Sequence, residues 1–148
     1  MTEHIVSWSF SKLQDFEKCK FLTKLKHVDR IPEPERELRP GQTEHANDRG
    51  SRVHDAAEHF VRGTGPFIPE MAKFQFEFDH LKRLFAAKKV ELEGEWGMDR
   101  EWETAPWNGA WLRLKLDAMV IASKHEAVVI DYKTGRKFGN EIKHAQQL

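Results

Sequence analysis

Glu126 to Gly135, read Glu-Ala-Val-Val-Ile-Asp-Tyr-Lys-Thr-Gly, constrains the fold more than any other stretch of the chain. Its apolar run, Ala127 to Ile130, is short and β-branched, which suits a buried strand better than a helix. Strand side chains alternate between faces, so Asp131 and Lys133 share one side while Ile130 and Tyr132 share the other. A carboxylate and an ammonium then stand side by side at the end of a core strand, and Thr134-Gly135 stops it with a turn. Such a pair can serve phosphate hydrolysis, the carboxylate binding a cation and the amine holding or polarising the attacking water. It can equally be a strand-end ion pair worth about 0–1 kcal/mol. Other residues have to decide.

The chain of 148 residues is long enough for one domain with its own core. Lysine and arginine total 24, as do aspartate and glutamate, so the formal net charge is zero. No general positive field announces a protein that coats nucleic acid, although a local basic cleft around an acidic site is compatible with that balance. Met1 to Phe10 carries Glu3, His4 and serines in place of a leader, and no apolar run spans a bilayer. A cytoplasmic protein with no membrane partner is expected. The one cysteine, Cys19, excludes an internal disulfide framework and a self-contained cysteine zinc site, and it suits a reducing compartment.

Ser7 to Ser11 leads into a helix in which Ser11 and Gln14 have capping-box spacing and Leu13, Phe16, Phe21, Leu22 and Leu25 form an apolar stripe. Its lysines, Lys12, Lys18, Lys20, Lys24 and Lys26, read as a solvated face rather than a phosphate-contacting one. Ile31 to Gly41, with Pro32, Pro34 and Pro40, is a surface loop. A second helix is expected from Asn47 or Asp48 to Val61, burying Val53, Ala56, Ala57, Phe60 and Val61, with His54 and Glu58 one turn apart. A third covers Pro69 to Lys88 on a stripe of Met71, Phe74, Phe78, Leu81 and Leu84, which is packing rather than a cofactor box. From Val90 the period becomes two: Val90 to Thr104 and Trp111 to Ile121 form a hairpin about Trp107-Asn108-Gly109, the first arm acidic. The tryptophans there read as cross-strand packing before base stacking, and Cys19 as a small buried apolar residue. A final helix is expected over Asn140 to Leu148, where His144 either contacts phosphate or caps the helix.

Three separate elements thus offer metal-ligand types: His54, Asp117, and Asp131 beside Lys133. Opposed side chains on adjacent antiparallel strands lie about 5 Å apart, so Asp117 and Asp131 can share a hard cation with His54 above them. Oxygen donors with one imidazole suit magnesium or manganese better than a closed zinc site.

Taken in order, Ser7-x-Ser9 with Phe16-x-x-Cys19, Gly50-x-x-x-His54-x-x-x-Glu58, Asp117, Asp131-Tyr132-Lys133-Thr134-Gly135, His144 and Gln147-Leu148 resemble the RecB-type branch of the PD-(D/E)XK nuclease superfamily. The resemblance extends over almost the whole chain and takes in CRISPR-associated and phage exonucleases of that branch. It implies an α/β fold with a restriction-endonuclease-like core, a mixed central sheet flanked by helices, a Mg2+ or Mn2+ site, and hydrolysis of DNA phosphodiesters. It makes His54, Asp117 and Asp131 ligands, with the Tyr132 backbone carbonyl a fourth. Asp117, Asp131 and Lys133 become the catalytic residues, Glu58 supports His54, and Gln147 lies near the site on the following helix. The chain departs from the pattern at Lys20, where proline is usual, and at Leu114-Lys115-Leu116, where a glycine is usual. It also stops at Leu148, where the family helix continues, as a fragment or an unusually short member would. Three later cysteines that would join Cys19 around an iron-sulfur cluster are lacking, so no cluster is expected in this chain.

The expected activity is therefore a Mg2+/Mn2+-dependent deoxyribonuclease, an exonuclease of phage or bacterial recombination and repair. Its partners would be DNA and a helicase or recombination protein. Two other readings stand beside it. One is a DNA-binding or assembly module that kept the fold and lost turnover. The other is a helical phosphohydrolase using the His54-Asp55 dipeptide. Polarity, strand preference and oligomeric state are not written in these residues.

Overall fold

A computed structural model describes residues 4–134; the expected final helix, with His144 and Gln147, lies outside them. The chain divides into two compact units, one of Met1–Glu37 with Glu95–Lys115, the other of Leu38–Gly94 with the chain from Leu116 onward. The elements are helices and a small three-stranded sheet, in keeping with an α/β restriction-endonuclease-like core.

In the first unit, α1 (Phe10–Lys18) and α2 (Lys20–Thr23) run into a π-helical turn, Lys24–Val28. Ser9, and not Ser11, caps α1: its backbone is extended and its hydroxyl accepts the Lys12 N–H at 3.4 Å. Cys19 is extended too, with φ −162° and ψ 108°, and breaks the helix in two. That break puts Phe21 and Leu22 out of phase with α1, and they are exposed by 67 and 36%; Leu13 and Phe16, within α1 itself, are exposed by 44 and 36%. Cys19 is likewise exposed instead of buried, its sulfur accepting the Leu22 N–H at the start of α2. The acidic arm is shorter than its alternation suggests. Met98 closes a bridge with Thr104, and between them the Asp99 carboxylate accepts the N–H groups of Glu101 and Glu103 at 3.0 and 2.9 Å. Gly97 is required there, since a Cβ would stand 2.5 Å from the Ala105 carbonyl oxygen and 2.7 Å from the Ala110 methyl.

The second unit holds the core. Helix α3 (Ala46–Arg62) buries Val53, Ala57, Phe60 and Val61 at the spacing of one helical face, and ends at Gly63, whose φ of 78° suits a residue without a Cβ. Pro69–Phe74 is 3-10 rather than α, and only Gln75–Ala86 forms α4. With three residues per turn the first segment shifts the phase of the stripe, which leaves Phe74 50% exposed while Met71, Phe78 and Leu81 are buried. These residues pack with Val90 and Leu92 of β1 (Val90–Met98) and Ala118 of β2 (Leu112–Ile121). The sheet order is β1-β2-β3, with β3 spanning Ala127–Ile130 antiparallel to β2. The expectation of a strand buried in the core is corrected here. Among the described residues β3 is an edge, Val128 is 55% exposed, and only its last turn of side chain, at Ile130, packs on the core. No helix among the described residues is long and apolar enough to cross a membrane.

Candidate metal centre

Three elements of the second unit each deliver one ligand-type atom to a common point: His54 from α3, Glu93 from β1 and Asp117 from β2, all within 4.8 Å of one another. Their positions follow from the packing around them. His54 follows the buried Val53, so it lies at the border of the buried face, while its neighbour Asp55 is exposed. The imidazole reaches Asp117 of the sheet. Asp117 precedes Ala118, the fully buried centre of the sheet. The β2–β3 register pairs Ala118 with Ile130 as its last pair, and Asp117 and Asp131 are the next residues beyond it on the two segments.

Asp117 is the hub. Its Oδ1 lies 3.2 Å from His54 Nδ1, and its Oδ2 accepts the Tyr132 backbone N–H at 2.5 Å. One carboxylate thus holds together a helix side chain and the second residue beyond β3. Asp131 Oδ2 sits 2.5 Å from Lys133 Nζ, the pair that strand alternation expects. Gly50, one turn before His54, lies beside Thr134, to whose hydroxyl a Cβ there would be 3.6 Å away. Glu58 is ion-paired to Arg62, its Oε1 2.7 Å from Nε.

The electrostatics are those of a cluster of negative charge. The bond to Asp117 raises the His54 pKa above its ordinary value against the opposing effect of burial, and the Tyr132 backbone and the Asp131 charge add to the rise. Burial pushes the Tyr132 phenol well above its usual range, with the charges of Asp117, Glu93 and Glu58 behind it. Its hydroxyl is buried with no hydrogen-bond partner among the described residues. The ring packs edge-on to His54, centroids 5.7 Å apart, and against Phe78 at 5.2 Å. Two carboxylates and an imidazole within reach of one point form a hard donor set that fits a divalent cation of the magnesium or manganese kind.

Glu93 is the residue that sequence reasoning passed over. It belongs to a run of alternating glutamates, Glu91, Glu93 and Glu95, and nothing in that run distinguishes one from the next. In the structure its φ is 51°, a left-handed conformation within a strand, and it is half-buried where Glu91 and Glu95 are exposed. The one available signal was Gly94, since a glycine inside a strand pattern marks an irregularity that can re-aim a neighbouring side chain. A non-glycine residue held there costs of order 1–3 kcal/mol and is kept where the surroundings impose it. Glu93→Gly is accordingly expected to raise the stability of the metal-free protein by about 1 kcal/mol while weakening manganese binding by roughly 10–100-fold. Urea melts in EDTA and a manganese titration read both; a destabilised variant with unchanged affinity would refute the assignment.

Residues 7–121 match the family model of the PD-(D/E)XK nuclease superfamily, a span that includes His54, Glu93 and Asp117 and ends before β3. Neither a curated protein nor a solved structure matches the chain.

Proposed function

Because the chain belongs to the PD-(D/E)XK nuclease superfamily, we propose that it is a Mg2+/Mn2+-dependent deoxyribonuclease hydrolysing DNA phosphodiesters. The observation that carries the reading is the convergence of His54, Glu93 and Asp117 from three elements onto one point. The finer reading is an exonuclease of the RecB-type branch, cytoplasmic, acting in recombination or repair beside a helicase or recombination protein. That finer reading rests on the Asp131-Tyr132-Lys133-Thr134-Gly135 motif.

His54, Glu93 and Asp117 would hold the ion, with Asp131 and the Tyr132 carbonyl at its border. When bound there, a divalent cation would supply the Lewis acidity that lowers the pKa of a water and stabilises charge on the phosphate. The remaining work falls to the chain. Asp117 fixes the imidazole through Nδ1 and the Tyr132 backbone through its N–H, so the helix and the strand end are positioned by one group. Asp131 holds the Lys133 ammonium, which supplies positive charge for a scissile phosphate oxygen and orients the attacking water. Tyr132 and Phe78 exclude solvent from one side, strengthening each interaction in the site.

The full chain with manganese or magnesium is expected to degrade linear DNA and to stop when EDTA is added. An exonuclease shortens end-labelled linear strands and spares closed circles. Lys133→Met should lower the rate by about 10²–10³-fold with little change in manganese affinity. DNA bound but never cut at any metal concentration would replace this reading by the catalytically silent module.

A further inference from the structure

The first unit contains a group of cations that the metal-centre chemistry does not use. Lys12 Nζ donates to the carbonyl and the hydroxyl of Ser7, at 2.7 and 3.3 Å, and Ser7 is buried. The next peptide is shared with Arg113: the Trp8 carbonyl accepts the Arg113 N–H at 2.9 Å, and Trp8 donates to the Trp111 carbonyl at 2.6 Å. Lys12 and Arg113 are thereby anchored to consecutive residues of one extended segment. The Arg113 guanidinium lies over the Trp107 ring, 5.1 Å from its centroid, which flattens it against an aromatic face. Its Nε is buried and has no hydrogen-bond acceptor among the described residues.

An arginine N–H shut away from water with no acceptor costs free energy, and its cationic neighbours compound that cost. The lysine's pKa is lowered by burial first, then by the positive charges of Arg113 and Arg30. Elsewhere in this unit cations meet acids: Asp15 takes Lys26 and His27, and Asp29 takes Lys24. Among the described residues no carboxylate takes that place at Lys12 and Arg113. The complement of a stacked guanidinium with an adjacent ammonium, presented by the rest of the Arg113 fork and by Lys12, is an oxyanion with several acceptor oxygens.

We propose that Lys12 and Arg113 form a phosphate-binding subsite on the first unit that takes a phosphate of the DNA strand. The substrate class rests on the nuclease reading above; the anion site rests on its own geometry. The same chemistry accommodates an internal phosphodiester or a terminal phosphate, and only one of these requires a strand end.

The test measures binding of the full chain to a fluorescent single-stranded oligonucleotide in EDTA, where nothing is cut, across a salt series, with Arg113→Gln and Lys12→Gln beside the natural sequence. Each variant is expected to bind roughly tenfold or more weakly and to lower the slope of log K against log salt by about 0.7. The loss should be uniform across oligonucleotide sequences. Comparing 5′-phosphorylated with 5′-hydroxyl strands assigns the source: a preference lost in Arg113→Gln supports a terminal phosphate, and equal, Arg113-dependent binding of both supports an internal one. Arg113→Lys keeps the charge without the planar fork and should recover part of the affinity, which separates anion binding from a folding defect. Wild-type affinity and salt slope in both glutamine variants would overturn the proposal and leave the nuclease reading standing. Arg113-dependent binding by a protein that never cleaves would do the reverse.

Discussion

Asp117→Asn is expected to reduce metal-dependent cleavage by at least about 10²–10³-fold while leaving the metal-free fold intact. The substitution keeps the side chain's shape, removes its charge and turns one of its two acceptor oxygens into an NH2 donor. An asparagine carbonyl still accepts the Tyr132 N–H that Asp117 Oδ2 now accepts, so the link between β2 and the segment just beyond β3 survives. The lost negative charge was one of several: Glu93 and Glu58 act on the same Tyr132 phenol, and Asp131 acts on His54. Relieving repulsion in that cluster offsets the lost bond to His54, and the melting temperature in EDTA should stay within a few degrees of the natural protein. A second readout follows from sign. The bond to Asp117 is the first cause of the raised His54 pKa, so an NMR titration of the metal-free variant should find it shifted down. Undiminished cleavage in Asp117→Asn, with manganese bound as before, would remove the proposed centre.

How much of this was legible in the residues depends on what each feature needed. The face of α3 was readable because Val53, Ala57, Phe60 and Val61 repeat at a local period that no distant contact has to enforce. The pair Asp131 and Lys133 follows from alternation, and Asp117 and Asp131 fall just beyond the last β2–β3 pair because the hairpin turn at residues 122–126 sets the register. The failures share a cause. Cys19, Phe74 and Glu93 each mark a place where the backbone leaves its period, by an extended residue, a 3-10 segment and a left-handed residue. A periodic reading continues across such a break and misplaces side chains beside it. Phe21 is therefore exposed where burial was expected, and Glu93 stands at the candidate centre instead of in solvent. The Lys12–Arg113 grouping was unreadable for a different reason. Its members are about a hundred residues apart, and a lysine on a charged helix reads as solvated until Arg113 is seen beside Trp8.

Phe78→Ala is expected to cost about 3–5 kcal/mol, a large part of the 5–15 kcal/mol that typically holds a domain together. Phe78 is 7% exposed within the cluster that joins α3, α4, β1 and β2. Truncating it leaves a cavity between two helices and a sheet whose other members, Val61, Met71 and Ala118, are fixed by their own packing. The melting temperature should fall by roughly 10 °C or more. Its consequence for the site runs through one contact. Phe78 lies 5.2 Å from the Tyr132 ring, and that ring lies 5.7 Å from His54. Tyr132 is also the residue whose N–H Asp117 holds and whose neighbours are Asp131 and Lys133. Phe78→Leu keeps most of the buried volume and loses the aromatic contact, so it should fold, with a loss of about 1–2 kcal/mol, yet cleave about tenfold or more slowly as the Asp131–Lys133 segment loses its support. If Phe78→Leu were as active as the natural protein, core packing and site geometry would be independent. The placement of Lys133 would then not depend on the Phe78–Tyr132 contact.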